Sequence, residues 1–279
     1  MHRQIKMCSM IFLSAAMVLL TACSMAQPTA HSTRGVGGES THDSNARVEL
    51  TVSAAASLAG ALKEIQPLYE AKQPVKINLN LGASGSLQRQ IEQGAPVDVF
   101  LSAGSDHMAA LISQGLVNEG RQRNLVTNQL VLIAPSDSAE HITAMADLQQ
   151  DRIQRIAVGE PSTVPAGRYA REALGALGLW EPLQASIVLT KDVRQVLTYV
   201  ESGNADAGFV YRTDALNSAK VKVVQEVDAA LHSPIRYPVG IVSSTSHRDE
   251  AQAFYEYLQS KEAVNVLTRY GFTPPKETS

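Results

Sequence analysis

Val75-Lys76-Ile77-Asn78-Leu79-Asn80-Leu81-Gly82-Ala83-Ser84-Gly85-Ser86-Leu87 changes its period halfway along. Through Leu81 the apolar and polar residues alternate strictly, which is the signature of a strand with two unlike faces. Small residues and hydroxyls follow, and then Leu87 and Ile91 sit one helical turn apart until Gly94 ends the run. A strand, a tight turn of small residues and a helix together make the βα unit of an α/β protein.

The same grammar extends in both directions. Residues 48–52 read as a strand and precede Leu58, Leu62, Ile65 and Tyr69 at helical spacing, where Pro67 is expected to kink or end the helix early. Residues 97–101 read as a buried strand before a helix marked by Met108, Leu111 and Ile112 and stopped at Gly115. Further strands are expected at 130–133, 156–158, 207–210, 221–224 and 239–242. Helices are expected to end at Gly178 and Gly203, with two more around 254–258 and 263–267. This order predicts an α/β fold with mostly parallel sheets and no solenoid repeat.

Four junctions between strand and helix share one chemistry. They are Ser53-Ala54-Ala55-Ala56-Ser57, Gly82-Ala83-Ser84-Gly85-Ser86, Gly159-Glu160-Pro161-Ser162-Thr163-Val164-Pro165-Ala166-Gly167 and Thr190-Lys191-Asp192-Val193. A helix start leaves N–H groups unpaired and carries about half a positive charge, so it attracts anions. Small side chains let a ligand approach the backbone, and the hydroxyls of Ser57 and Ser84 can add donors. Each motif read alone is also an ordinary cap, with Ser57 and Asp192 as N-caps. The alanine run and the glycine-rich loop go further, because a cap does not require small neighbours.

The ends and the composition narrow the function classes. His2, Arg3 and Lys6 precede an apolar run too short to cross a bilayer, so residues 1–23 read as a leader peptide. Leu20-Thr21-Ala22-Cys23 resembles the lipobox of bacterial lipoproteins, which makes Cys23 the expected site of lipidation and places the protein outside the inner membrane, periplasmic or on the cell surface. Residues 24–46 hold few large apolar side chains and read as a flexible tether, in which His31 and His42 are polar filler rather than a metal site. With Cys8 in the leader and Cys23 lipidated, the body has no cysteine for a disulfide or a metal. The 27 acidic residues outnumber the 24 basic ones, which argues against a nucleic-acid partner and leaves room for a local anion site.

At these junctions the chain resembles the periplasmic molybdate-binding proteins of molybdate ABC importers. The resemblance runs in order through Ala54-Ala55-Ala56-Ser57-Leu58, Arg89-Gln90-Ile91-Glu92-Gln93-Gly94-Ala95-Pro96-Val97-Asp98-Val99-Phe100, Val158-Gly159-Glu160-Pro161, Val164-Pro165-Ala166-Gly167, Asp192-Val193-Arg194, Gly208-Phe209-Val210-Tyr211 and Arg269-Tyr270-Gly271-Phe272. It implies a two-lobed type II binding-protein fold with crossover hinge segments, its first lobe formed by 47–128 with a return at 238–279, and its second by 129–237. It implies a monomer that needs no cofactor, is not an enzyme, and hands molybdate or tungstate to the permease and ATPase subunits of an importer. The family holds its oxyanion with two serine hydroxyls, backbone N–H groups and a tyrosine hydroxyl. Those roles fall on Ser57, Ser84 and Tyr211, and on the N–H groups of Ala166 and Val193. Gly85 stands where serine is common, which leaves Ser84 and Ser86 both open as the second serine. Asp98, Asp214 and Arg194 are read as caps or surface ion pairs, since a carboxylate beside a dianion would repel it.

Two other readings remain at this stage. Gly82-Ala83-Ser84-Gly85-Ser86 lies where a nucleophile elbow would, but it lacks that motif's final glycine, and none of His107, His141, His232 or His247 has a catalytic context. A sulfate or phosphate binder is the other reading. Phosphate keeps a proton near neutral pH and favours an acceptor in its site, whereas fully deprotonated oxyanions require donors only.

Overall fold

The alternating stretch forms the second strand of a five-stranded sheet in the computed structural model, which describes residues 47–137 and 142–275. The expected leader, lipidated Cys23, tether and His141 lie outside the described residues. The first part of the chain runs β1 (Val48–Ala55), α1 (Ala59–Glu70), β2 (Val75–Gly82), α2 (Ser84–Glu92), β3 (Val99–Leu101), α3 (Ser105–Ser113) and β4 (Val117–Thr127). The middle part runs β5 (Leu130–Pro135), β6 (Ile156–Gly159), α4 (Pro165–Ala176), β7 (Ile187–Thr190), α5 (Val193–Glu201), β8 (Ala207–Tyr211), α6 (Arg212–Leu216) and β9 (Val221–Glu226). The chain then returns as β10 (Arg236–Val242), α7 (Arg248–Tyr257) and α8 (Lys261–Arg269).

These elements make two α/β domains, each built on one mixed sheet, with orders β2-β1-β3-β10-β4 and β7-β6-β8-β5-β9. Each sheet holds a parallel trio with two more strands on one side; the nearer, β10 or β5, runs antiparallel to the trio and pairs antiparallel with the outer one, β4 or β9. Pairing is thus less parallel than expected. The reason is the chain path: β5 and β10 are the strands by which the chain enters each sheet from the other, and both run against the βα units beside them. The cores are apolar and tight, with Leu50, Val52, Leu132, Val158 and Phe209 fully buried.

The glycine stops hold, since Gly94, Gly115, Gly178 and Gly203 have φ between 68 and 84°, the left-handed turn that closes a helix. Two local features differ from the sequence reading. Pro67 lies inside α1, which continues to Glu70, because the lost N–H bond falls in the last turn and the carbonyl of Pro67 still accepts from Ala71. β4 was not anticipated, because Val117-Asn118-Glu119-Gly120-Arg121-Gln122-Arg123 is polar and broken by glycine. As an edge strand it presents one side to solvent and is held by β10 on the other.

The parallel register fixes where the turns meet. Pairing from Val48 with Val75 to Ala55 with Gly82 brings two junctions side by side at the carboxyl ends of β1 and β2. Pairing of Gly159 with Thr190 does the same for β6 and β7. Carboxyl ends of parallel strands are where α/β sheets bind ligands.

Candidate functional site

The four junctions surround one small, nearly closed cavity. From the first domain come Ala55, Ala56, Ser57, Gly82, Ala83 and Ser84, with Ala103 from the loop after β3. From the second come Val164, Pro165, Ala166, Asp192, Val193 and Tyr211. All five sequence-nominated residues, Ser57, Ser84, Ala166, Val193 and Tyr211, are in this lining, and Lys and Arg are absent from it. Ser86 is not in the lining and receives a contact from Arg89 instead.

Helix starts supply the donors. Neither Ala83 before α2 nor Val164 before α4 can cap its helix with a side chain, and Ala55 does not cap the short 3-10 turn Ala56–Leu58. Ala166, second residue of α4, and Val193, first of α5, have no carbonyl four residues back within their own helices. Their N–H groups are therefore free of intrahelical demand. Asp192 also borders the cavity, but its carboxylate caps α5 as expected, accepting from the N–H of Gln195 at 2.9 Å.

The hydroxyls are set by buried bonds. Ser84 is fully buried and its Oγ accepts from the N–H of Ala103 at 2.9 Å, which leaves its own proton for another acceptor. Ser57 does not cap α1; it sits in the preceding turn, and its Oγ meets the hydroxyl of Tyr237 at 3.0 Å. Tyr211 ends β8 with its ring edge-on to Tyr237 and donates to the carbonyl of Ala103 at 3.3 Å. Burial raises the pKa of Tyr211 well above its ordinary value, with the neighbouring Tyr237 adding to the shift, so the hydroxyl stays protonated and remains a donor.

The two domains touch around this cavity. The N–H of Gly85 donates to the carbonyl of Thr163 at 2.9 Å, and Arg168 pairs with Asp106 at 3.2 Å. Only a glycine fits at position 85 in this arrangement, because a β-carbon there would stand 2.8 Å from the Thr163 Cα and 2.9 Å from its carbonyl oxygen.

The acidic residues differ from expectation. Asp98 is buried and accepts from the N–H of Thr51 at 2.7 Å and from the Thr245 hydroxyl, so it ties β1 to the segment after β10 rather than capping a helix or pairing at the surface. Asp214 is 1 % exposed and pairs with the half-exposed Arg194 at 3.4 Å. Its burial outweighs the arginine and pushes its pKa up to about 6. Among the described histidines, His107 bonds Gln88 and His232 bonds the carbonyl of Ser233. Neither hydrogen-bonds Ser84. Sequence reasoning missed Ala103, Asn128 and Tyr237, whose roles come from contacts made across long stretches of chain.

The profile of bacterial extracellular solute-binding proteins matches residues 50–273. YvgL of Bacillus subtilis, provisionally named an ABC transporter substrate-binding lipoprotein, is 47% identical over 94% of this chain and 97% of its own length. The molybdate-binding protein ModA of Haemophilus influenzae is 39% identical over 82% of this chain and 91% of its own. A solved substrate-binding domain from Clostridium difficile, provisionally assigned to a molybdenum ABC transporter, is 45% identical with a TM-score of 0.64, covering 82% of this chain and all of that one.

Proposed function

Because the chain belongs to the bacterial extracellular solute-binding proteins, we propose that its cavity captures molybdate, with tungstate as a close substitute. The protein is a substrate-binding component of an ABC transporter, and in this reading it passes the anion to that importer's permease and ATPase subunits. It acts as a monomer, carries no cofactor, catalyses no reaction and is held at the membrane by lipid on Cys23. The lobes are 47–128 with 238–279, and 129–237.

The observation that carries the reading is a cavity of small residues, without Lys or Arg, onto which helix starts and protonated hydroxyls converge from both domains. Such a lining offers donors to every face of a tetrahedral dianion. Ser57 and Ser84 contribute hydroxyls from one side, the N–H groups of Ala166 and Val193 contribute from the other, and Tyr211 turns its proton from Ala103 to the ligand. Molybdate rather than sulfate is favoured by the relatives that bear molybdate-binding names.

The test is calorimetric titration with molybdate, tungstate, sulfate and phosphate at two salt concentrations. Molybdate and tungstate are expected to bind and phosphate to bind poorly. Ser57→Ala and Tyr211→Phe each remove one hydrogen bond to a charged ligand, which is about 1.5 to 3 kcal/mol, or roughly a ten- to hundredfold rise in Kd. Lys191→Gln should change affinity far less, since Lys191 is exposed and lies outside the cavity lining. A larger loss from Lys191→Gln, with steep salt dependence, would overturn the neutral-donor reading; preference for sulfate would overturn the choice of ligand.

A further inference from the structure

Tyr237 lies outside the cavity lining, on the strand that returns the chain to the first domain, and is 1 % exposed. Its hydroxyl meets Ser57 Oγ at 3.0 Å and Asn128 Nδ2 at 3.2 Å. Between two hydroxyls either oxygen can donate, so the Ser57 contact alone does not say where the protons point.

Asn128 favours one direction. It occupies the other crossing, between β4 and β5, and its Oδ1 accepts from the N–H of Gln129 at 2.9 Å. That bond fixes which end of the amide is oxygen. The two protons on Nδ2 then go to Thr213 Oγ1 at 2.9 Å and to the Tyr237 hydroxyl oxygen. An amide nitrogen donates only, so Tyr237 accepts there, and turning its single proton to Ser57 satisfies both of its hydrogen-bond contacts at once. Ser57 accepts in turn, and its own single proton is left for whatever the cavity holds. Burial keeps the Tyr237 pKa well above its ordinary value, so the middle of this chain does not lose its proton at neutral pH.

We infer that Tyr237 is a positioning residue for the anion site, acting through Ser57 by holding that hydroxyl as a donor aimed into the cavity. The inference rests on the reading of the cavity as an oxyanion site. It explains why one serine can be presented as a donor without a cation nearby: the direction is imposed from the half-buried Asn128 inward, through the buried hydroxyls of Tyr237 and Ser57. It also connects the site to both crossings between the domains, because Asn128 and Tyr237 each sit on one of them.

The experiment is a double-mutant cycle on the full chain, read as the Kd for molybdate, with the melting temperature of the ligand-free protein recorded for each variant. Tyr237→Phe keeps the ring that packs edge-on against Tyr211 and Phe272 and removes only the hydroxyl. It should weaken binding by about five- to tenfold when Ser57 is present. In the Ser57→Ala background it should weaken binding by less than about twofold, because the residue it acts through is gone. Asn128→Ala should follow the same pattern and serves if Tyr237→Phe does not fold.

Additive losses would show a merely structural role and overturn the inference, as would a Tyr237→Phe variant that melts lower yet binds normally. If the wild type binds molybdate and Ser57→Ala does not weaken it, the inference falls and the oxyanion reading stands. If the wild type takes up none of molybdate, tungstate or sulfate, both fall together.

Discussion

Gly167→Ala and Gly175→Ala place the same methyl group on α4 and should move stability in opposite directions. A β-carbon at Gly167 would stand 1.8 Å from the carbonyl oxygen of Gly159 and 2.5 Å from its carbon, both backbone atoms of β6 that cannot rotate away. To reach ordinary contact the first turn of α4 must retreat from the strand by about 1.5 Å. That turn packs through Ala166 and Ala170, both fully buried, so the retreat opens the core as well as straining the backbone. The cost is at least about 3 kcal/mol, the upper end for overpacking. For a domain of this size it lowers Tm by roughly 6 to 12 °C. Gly175 meets nothing within 4 Å and is exposed, so alanine there should gain about 0.5 to 1 kcal/mol from helix propensity, or roughly 1 to 4 °C. The assay is thermal unfolding of both variants beside molybdate titration. Moving α4 also moves the Ala166 N–H, so Gly167→Ala should weaken binding by at least about tenfold, whereas Gly175→Ala should not. A Gly167→Ala protein that melts within about 2 °C of wild type and binds normally would refute the close approach of helix and strand.

Two further outcomes follow from the buried aspartate and from the leader. The folded pKa of Asp214, pushed up to about 6, lies above the ordinary aspartate value. The folded protein therefore binds more protons than the unfolded chain between about pH 4 and 6, and this group's contribution weakens as pH rises through that window. Asp214→Asn should remove that slope and stabilise the protein at pH 7.5 by about 1 to 3 kcal/mol, measured by urea unfolding across pH; an unchanged slope would contradict the burial. Cys23→Ser should shift the protein from the membrane fraction to the soluble one, since acylation needs the thiol. Fractionation identical to wild type would refute the lipid anchor.

What the sequence made legible was local. The alternation in Val75-Lys76-Ile77-Asn78-Leu79 and the glycine stops depend on neighbours a few residues away, and both appear in the fold as read. The nominated site residues gather because junctions at the carboxyl ends of parallel strands must share one edge of a sheet. What failed was non-local. β4 is polar and interrupted by Gly120, and only its partner β10, more than a hundred residues on, makes it a strand. Ser57 looked like a cap because its true partner, Tyr237, is 180 residues away. The letters Asp98 and Asp214 gave no hint of burial; charge predicts exposure on average, and these two are held by particular donors and by one arginine. Tyr237 and Asn128 carried no signal because each is an unremarkable residue beside a crossing.

The uncapped helix starts give a reason for closure to depend on occupancy. In a cap-bearing helix the first N–H groups are satisfied by the protein itself, and a cleft lined by such helices could shut on nothing at little cost. Here Ala83 and Val164 supply no side-chain oxygen; the N–H of Gly85 reaches the Thr163 carbonyl and that of Ser86 the Ala83 carbonyl, which leaves the N–H groups of Ser84 and Ala166 to look to an outside acceptor. In an open cleft water provides it. Closing the domains without an anion would strand those donors away from water, at about 1 to 3 kcal/mol for each. That is enough for the two together to outweigh cross-domain contacts such as the Gly85 to Thr163 bond and the half-exposed pair of Arg168 and Asp106. In the proposed reading a tetrahedral dianion reverses the balance, because it brings acceptors to these donors at once and draws helix starts from both domains toward one charge. On that proposed reading the small residues at the junctions do two jobs: they let the anion reach the backbone, and they withhold the caps that would let the empty cleft close.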